Sequence, residues 1–164
     1  MPETKQNTAG QPGAPETPKF PTEIVDLPSK GLLYPEGHPL SGGTVELKYM
    51  TAREEDILSS ANLIRKGVVI DELLKSLVVS DVNFNDILVG DKNAIMVNAR
   101  IFGYGKQYKS DVTCPKCSAV EKDCEFDLTS IGYKEIDDKI YNRENEFEYE
   151  LPNSQRKIVF KMLN

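Results

Sequence analysis

The sequence predicts an α+β fold in which about three central helices pack on antiparallel β structure that ends in a C-terminal hairpin. Apolar residues recur at helical spacing between positions 52 and 102. Apolar and charged side chains alternate in residues 45–49 and again in residues 146–151, which is typical of half-buried strands. Thr51, followed three residues later by Glu54, has the pattern of a capping box and marks the change from strand to helix.

We expect one domain over residues 21–164, preceded by a disordered, proline-rich arm over residues 1–20. The arm holds four of the ten prolines and almost no apolar side chains, so it cannot bury enough surface to offset its ordering entropy. Within the domain, the patterns predict a β region over 21–50, a helical block over 51–103 and a cysteine-knuckle β region over 104–164.

Three helices are predicted in the central block. The first covers residues 52–66 and ends at Gly67, and the second covers about 70–79. The third uses Asp91 as its N-cap and runs to Phe102. The apolar stripes of the second and third helices are expected to bury Leu73, Leu74, Leu77, Val78, Ile95, Ala99 and Phe102.

The last third of the chain predicts two hairpins. A strand over 107–113 leads into Cys114-Pro115-Lys116-Cys117, and residues 124–128 form its returning partner. Residues 146–151 place Phe147, Tyr149 and Leu151 on one face, and a turn then leads to a final strand marked by Ile158, Phe160 and Met162.

The cysteines are the candidate metal ligands. Cys114, Cys117 and Cys124 lie within eleven positions, and an odd number so closely spaced is not a disulfide framework. A Cys-Pro-X-Cys turn is typical of a zinc knuckle, but a closed zinc site needs four ligands. This set of three is incomplete, so three interpretations stay open: a zinc site completed by a nearby aspartate or a partner chain, a purely structural turn without metal, and a thiol-exchange site.

Composition and charge argue against other classes of function. The net charge of −6 and the pI of about 4.9 argue against a nucleic-acid partner, which requires a concentrated basic surface. No apolar run approaches the roughly 20 residues of a membrane span, so no membrane is expected as a partner. Nucleophile, phosphate-loop and dinucleotide motifs are missing, so we expect no enzyme. The one histidine, His38, is expected at the surface of a loop.

A series of motifs follows in a characteristic order. Its members are Leu27-Pro28-Ser29-Lys30-Gly31, Tyr34-Pro35, Met50-Thr51-Ala52-Arg53-Glu54-Glu55-Asp56, Arg65-Lys66-Gly67, an acidic helix start at Asp91, Cys114-Pro115-Lys116-Cys117, Phe126-Asp127-Leu128 and Phe147-Glu148-Tyr149-Glu150-Leu151-Pro152. The series resembles the T4-type bacteriophage base plate protein family, the small baseplate hub subunits of contractile-tailed phages. The resemblance runs from about residue 20 to 163.

The resemblance implies a non-enzymatic structural or assembly protein of a phage tail baseplate hub. Its partners would be other baseplate and hub proteins, and it would be part of an oligomer within a symmetric assembly. Its place would be the virion tail baseplate, assembled in the host cytoplasm. Family members tend to continue past the final strand, so the resemblance leaves two alternatives, a shortened member or a truncated reading frame. It implies no cofactor. The alternatives are a zinc-knuckle binding module with a protein or nucleic-acid partner, and a thiol–disulfide oxidoreductase.

Overall fold

The computed structural model describes residues 20–134 and 143–164, so the predicted arm lies outside the described residues apart from Phe20. The strands and helices in chain order are β1 (Thr22–Asp26), β2 (Thr44–Lys48), α1 (Ala52–Ser59), α2 (Ala61–Lys66), α3 (Val69–Leu77), α4 (Val89–Tyr104), β3 (Gln107–Thr113), β4 (Val120–Asp127), β5 (Phe147–Glu150) and β6 (Lys157–Phe160). The strands pair as three antiparallel two-stranded sheets, β1–β2, β3–β4 and β5–β6. The predicted α+β class and the C-terminal hairpin are therefore confirmed.

The hydrophobic core lies between the β1–β2 sheet, the loop that joins these strands, and helices α3 and α4. Its buried members are Val25, Leu27, Leu33, Tyr34, Leu40, Val45, Leu47, Leu74, Phe84, Ile87, Leu88 and Ile95. Four of them, Leu27, Leu33, Tyr34 and Leu40, come from the loop, which is therefore part of the packed body. A smaller cluster of Leu73, Leu77 and Ala99 joins α3 to α4. Burying each such side chain contributes about 1.5–3 kcal/mol.

The prediction of one continuous first helix over residues 52–66 is wrong. Helix α1 ends at Ser59, and α2 begins at Ala61 after Ser60, whose backbone is extended at φ −67° and ψ 105°. The Ser59 hydroxyl donates to the carbonyl oxygens of Glu55 and Asp56. Serine side chains that bond nearby backbone in this way compete with a regular helix. Helix α2 ends, as predicted, at Gly67, which has the left-handed φ of 71°.

The other two helices are close to prediction, with one correction. Helix α3 buries Leu73, Leu74 and Leu77, and α4 buries Ile95 and Ala99. However, α4 begins at Val89 with Leu88 as its N-cap residue, so Asp91 is not the N-cap. Asp91 lies inside the first turn of the helix and is fully buried. No helix in the described residues is both long and apolar enough to cross a bilayer.

The two C-terminal hairpins differ in how they are held. The β5–β6 hairpin contacts the body, since Phe147 packs against the main core and the Val89 N–H donates to the Leu163 carbonyl oxygen at 2.9 Å. The β3–β4 hairpin continues from α4, and most of its residues are exposed. Strand β4 begins at Val120, four residues earlier than predicted, and the pairing is irregular between Ser110 and Val112.

Candidate functional site

The candidate metal ligands Cys114 and Cys117 lie in the turn at the tip of the β3–β4 hairpin. The Cys114 N–H donates to the Ala119 carbonyl oxygen at 2.9 Å, and the Ser118 N–H donates back to the Cys114 carbonyl oxygen at 2.9 Å. Ser118 takes a left-handed φ of 56°, which closes the turn. The pair therefore belongs to a short, hydrogen-bonded β turn, and the helix N-terminus on which the thiol-exchange interpretation depended is not present there.

The structure does not bring Cys124 to this pair. Cys124 lies opposite Ser110 in the β3–β4 register, four residues from Cys114 along β3. At about 3.3 Å per residue, this separation amounts to about 13 Å. Its sulfur contacts the Glu121 carbonyl oxygen at 3.7 Å. Among the described residues, no group of three or more histidine, cysteine, aspartate or glutamate side chains is placed to hold a metal ion.

The pKa values of the Cys114 and Cys124 thiols are shifted in opposite directions. Hydrogen bonds from the backbone N–H groups of Cys117 and Lys116, and from the Cys117 side chain, lower the pKa of Cys114. For Cys124, partial burial raises the pKa, and the nearby charges of Glu121, Asp111 and Asp123 raise it further. The thiolate, which is the form that binds metal, is thus favoured at Cys114 and disfavoured at Cys124.

The β5–β6 hairpin presents an apolar face that is only partly covered. Phe147 pairs with Phe160 and Tyr149 pairs with Ile158, so all four side chains lie on one face, as predicted. The Phe147 and Phe160 rings stack with centroids 5.4 Å apart. While Phe147 packs against the core, Tyr149 is 51% exposed, Phe160 45% and Ile158 40%. Only the Phe147 corner of this face is thus packed against the body, and the other three side chains are largely exposed to solvent.

The opposite face of this hairpin carries the glutamates. Glu150 pairs with Lys157 across the strands, and Glu146 forms an ion pair with Lys161 at 2.9 Å. These groups are largely exposed, so each pair contributes at most about 1 kcal/mol. The acidic strand seen in the sequence is therefore a solvated face, partly neutralised by lysines of the neighbouring strand.

A buried carboxylate that the sequence prediction assigned to a helix cap connects distant parts of the chain. Asp91 accepts hydrogen bonds from the Ser29 N–H at 3.1 Å, the Ser29 hydroxyl at 2.7 Å and the Tyr34 hydroxyl at 2.7 Å. The Tyr34 oxygen in turn accepts from the Leu88 N–H at 3.1 Å. Burial and the hydrogen bond to Asp91 raise the pKa of Tyr34. This network fastens the loop after β1 to the start of α4.

No local sequence signal reveals this network, because Ser29 and Tyr34 lie 62 and 57 residues from Asp91. The one available signal is that all three residues fall within the motif series of the resemblance. The surrounding turn is tight: Gly31 has a φ of +73°, and a Cβ atom there would lie 2.6 Å from the Gly43 nitrogen. Glycine at position 31 is therefore required by both backbone conformation and space.

A second buried carboxylate, that of Glu54, forms the capping box with Thr51 and also bonds residues outside the box. Its side chain accepts from the Thr51 N–H at 2.9 Å, forms an ion pair with Lys48 at 2.9 Å and accepts from the Ser76 hydroxyl. Burial raises the pKa of Glu54, but the hydrogen bonds from Ser76, Thr51 and Lys48 outweigh it and lower the pKa to about 2. One side chain thus joins β2, α1 and α3.

His38 is half-buried in the loop between β1 and β2. Its ring stacks on Tyr34 with centroids 4.7 Å apart and planes 7° apart, and its Nδ1 accepts from the Leu40 N–H at 3.2 Å. His38 does lie in a loop, as predicted, but it is not a fully exposed surface residue, because its ring packs against the tyrosine of the Asp91 network. These contacts explain the residue as part of the loop structure.

Comparison with known proteins agrees with the motif series. The family model described as "T4 bacteriophage base plate protein" matches residues 21–163. No significant match was found among curated proteins or among solved structures. The matched range spans the β1–β2 sheet, all four helices and both hairpins. The chain therefore belongs to the T4 bacteriophage base plate protein family, and it is a structural protein of the phage baseplate.

Proposed function

We propose that this base plate protein is a non-enzymatic subunit of the tail hub, assembled into the baseplate in the host cytoplasm, which acts through protein–protein contacts. The observation that carries the proposal is the β5–β6 hairpin: Phe147 packs against the core, the rest of the apolar face is largely exposed, and the outer edge of β6 pairs with no other strand of the described residues. Solvent-exposed apolar patches with unpaired strand edges mark protein interaction sites. The neighbouring hub protein therefore contributes a strand that pairs with β6 and covers the apolar face.

The hydrogen-bond pattern identifies which groups of β6 face the neighbour. The Leu151 N–H donates to the Arg156 carbonyl oxygen at 2.9 Å, so Arg156 faces the first strand of the hairpin. Backbone groups alternate direction along an antiparallel strand. Ile158 and Phe160 therefore also face β5, whereas the N–H and C=O of Val159 point to the free edge. The Val159 side chain is 60% exposed.

The Val159→Pro variant tests this assignment. Proline removes an outward N–H without taking a hydrogen bond from the β5–β6 ladder, and it is tolerated at such edge positions. The lost inter-chain hydrogen bond costs about 0.5–1.5 kcal/mol, and the clash of the proline ring with an incoming strand adds to this cost. We expect the amount of the protein in purified tails to fall by at least about tenfold.

The Val159→Ala variant is the matched control, because it trims the same side chain but keeps the N–H. It should enter tails far better than the proline variant. Circular dichroism of both purified variants checks that the hairpin and body remain folded. If the proline variant enters tails at the wild-type level, strand addition at β6 is wrong.

The proline-rich arm is the second contact in this proposal. Its composition predicts a segment that gains structure only on a partner, as disordered binding segments do. Deleting residues 1–19 should reduce incorporation into baseplates while leaving the thermal unfolding of the purified protein unchanged. Unchanged incorporation would remove the arm from the proposal, but not the hairpin.

A further inference from the structure

The tip of the β3–β4 hairpin has the construction of a metal-binding turn. Cys114 and Cys117 are separated by two residues in a turn whose backbone is closed by hydrogen bonds from Cys114 to Ala119 and from Ser118 to Cys114. In zinc knuckles, two thiolates of such a turn take adjacent corners of a tetrahedron, and amides that point at sulfur offset part of the thiolate charge.

The described part of the chain supplies only these two ligands. Cys124 lies about 13 Å away along the hairpin. No third histidine, cysteine, aspartate or glutamate among the described residues is placed to complete a site. The turn itself is accessible, with Cys117 exposed and Cys114 partly exposed.

We propose that Cys114 and Cys117 are one half of a zinc site that closes when the hairpin tips of two copies of this chain meet. Each copy supplies two thiolates, and the four together complete the tetrahedral set that structural zinc requires. Binding displaces four thiol protons to solvent and leaves a Zn²⁺ centre with four negative sulfur ligands. Lys116 lies within each turn, so two lysines compensate part of the excess negative charge.

A second copy is the partner that the chemistry favours. Soft thiolate ligands in a tetrahedral arrangement select zinc over harder divalent ions. A two-fold contact uses the same surface on both subunits, so two copies that meet at this exposed tip bring two cysteine pairs together. The tip is free to make such a contact, since Pro115, Lys116 and the residues that follow up to Asp123 are exposed. This inference does not depend on strand addition at β6.

Metal titration of the full-length chain tests the proposal. The reduced protein is first stripped of metal with a chelator and then titrated with Zn²⁺, or with Co²⁺ as a spectroscopic probe. We expect about one metal ion per two chains, a monomer-to-dimer shift in analytical ultracentrifugation that the chelator reverses, and Co²⁺ absorption typical of four thiolates. A zinc ion bound one per chain in a monomer would overturn the proposal, as would the absence of binding at micromolar metal.

Cysteine variants provide the matched controls. Cys114→Ser and Cys117→Ser should each abolish both metal binding and the zinc-dependent dimer. Cys124→Ser removes the third cysteine of the same hairpin and should retain both. If Cys124→Ser loses binding, or if either turn variant keeps it, the assignment of the ligands is wrong. This test measures metal content and molecular mass, so its outcome does not depend on whether Val159→Pro enters tails.

Discussion

Replacing Glu54 with glutamine tests the buried ion pair that joins β2 to two helices. The Glu54 carboxylate is fully buried and bonded to Lys48, Thr51 and Ser76. Glutamine has nearly the same shape but no charge. The Lys48 ammonium, whose side chain is 18% exposed, then keeps only a neutral acceptor. Removing one partner of a buried pair commonly costs about 3–5 kcal/mol.

The shift of the Glu54 pKa gives an independent value for the unfolding free energy that the Glu54 charge contributes. The pKa falls from 4.5 to about 2, and each pKa unit corresponds to about 1.4 kcal/mol, so the ionised form contributes about 3 kcal/mol. Because the folded-state pKa is the lower one, this stability is fully present above about pH 4.5 and is lost as the pH falls towards about 2. We therefore expect Glu54→Gln to lose about 3 kcal/mol of unfolding free energy at neutral pH.

Urea unfolding followed by circular dichroism at a series of pH values measures this effect. The difference between wild type and Glu54→Gln should shrink steadily below about pH 4.5, because the wild-type carboxylate becomes protonated. Glu55→Gln is the matched control: this exposed glutamate lies in the same first turn and should cost at most about 0.5 kcal/mol. A difference below about 1 kcal/mol at neutral pH, or one that does not change with pH, would refute the reasoning.

Two further predictions concern the loop that follows β1. Tyr34→Phe leaves the buried Asp91 and a backbone N–H each short of a partner, so the unfolding free energy should fall by about 1–3 kcal/mol; a loss under about 0.5 kcal/mol in urea unfolding would contradict the network. Gly31→Ala adds a Cβ atom in contact with backbone at a positive φ, whereas Gly37→Ala adds one at a φ of +84° with open space around it. The first should lower the melting temperature clearly more than the second, and equal shifts would show that crowding at Gly31 is unimportant.

The regular elements were predictable because their signals are local. Apolar periodicity located the second and third helices, and alternation located β5 and the strand that pairs with it. The capping box at Thr51 and the stop at Gly67 were also correct. Each of these signals depends on side chains within a few residues of one another, so the sequence contains the whole of the information.

The errors arose where distant residues decide the structure. Asp91 has the residue type and position of a helix cap, and only its contacts with Ser29 and Tyr34 reveal that it is buried in the first turn. The break at Ser60 has a local cause instead, since the Ser59 hydroxyl bonds the carbonyl oxygens of Glu55 and Asp56 while the apolar pattern continues across the break. The incomplete cysteine set could be noted from spacing, but the separation of Cys124 from the turn follows from the strand register.

The family motifs fall into two groups, one inside the packed body and one on the two hairpins, where partners are proposed to bind. The motifs around Ser29, Tyr34, Glu54 and Asp91 lie inside the body, where they hold the β1–β2 loop, α1, α3 and α4 together. The polar side chains of these residues form hydrogen bonds within the chain, so they are not available to a neighbouring protein. The exposed chemistry lies on the two hairpins, as an apolar face at β5–β6 and a cysteine pair at β3–β4. Substitutions in the frame should therefore reduce stability, whereas Val159→Pro and Cys117→Ser should reduce assembly in a protein that remains folded.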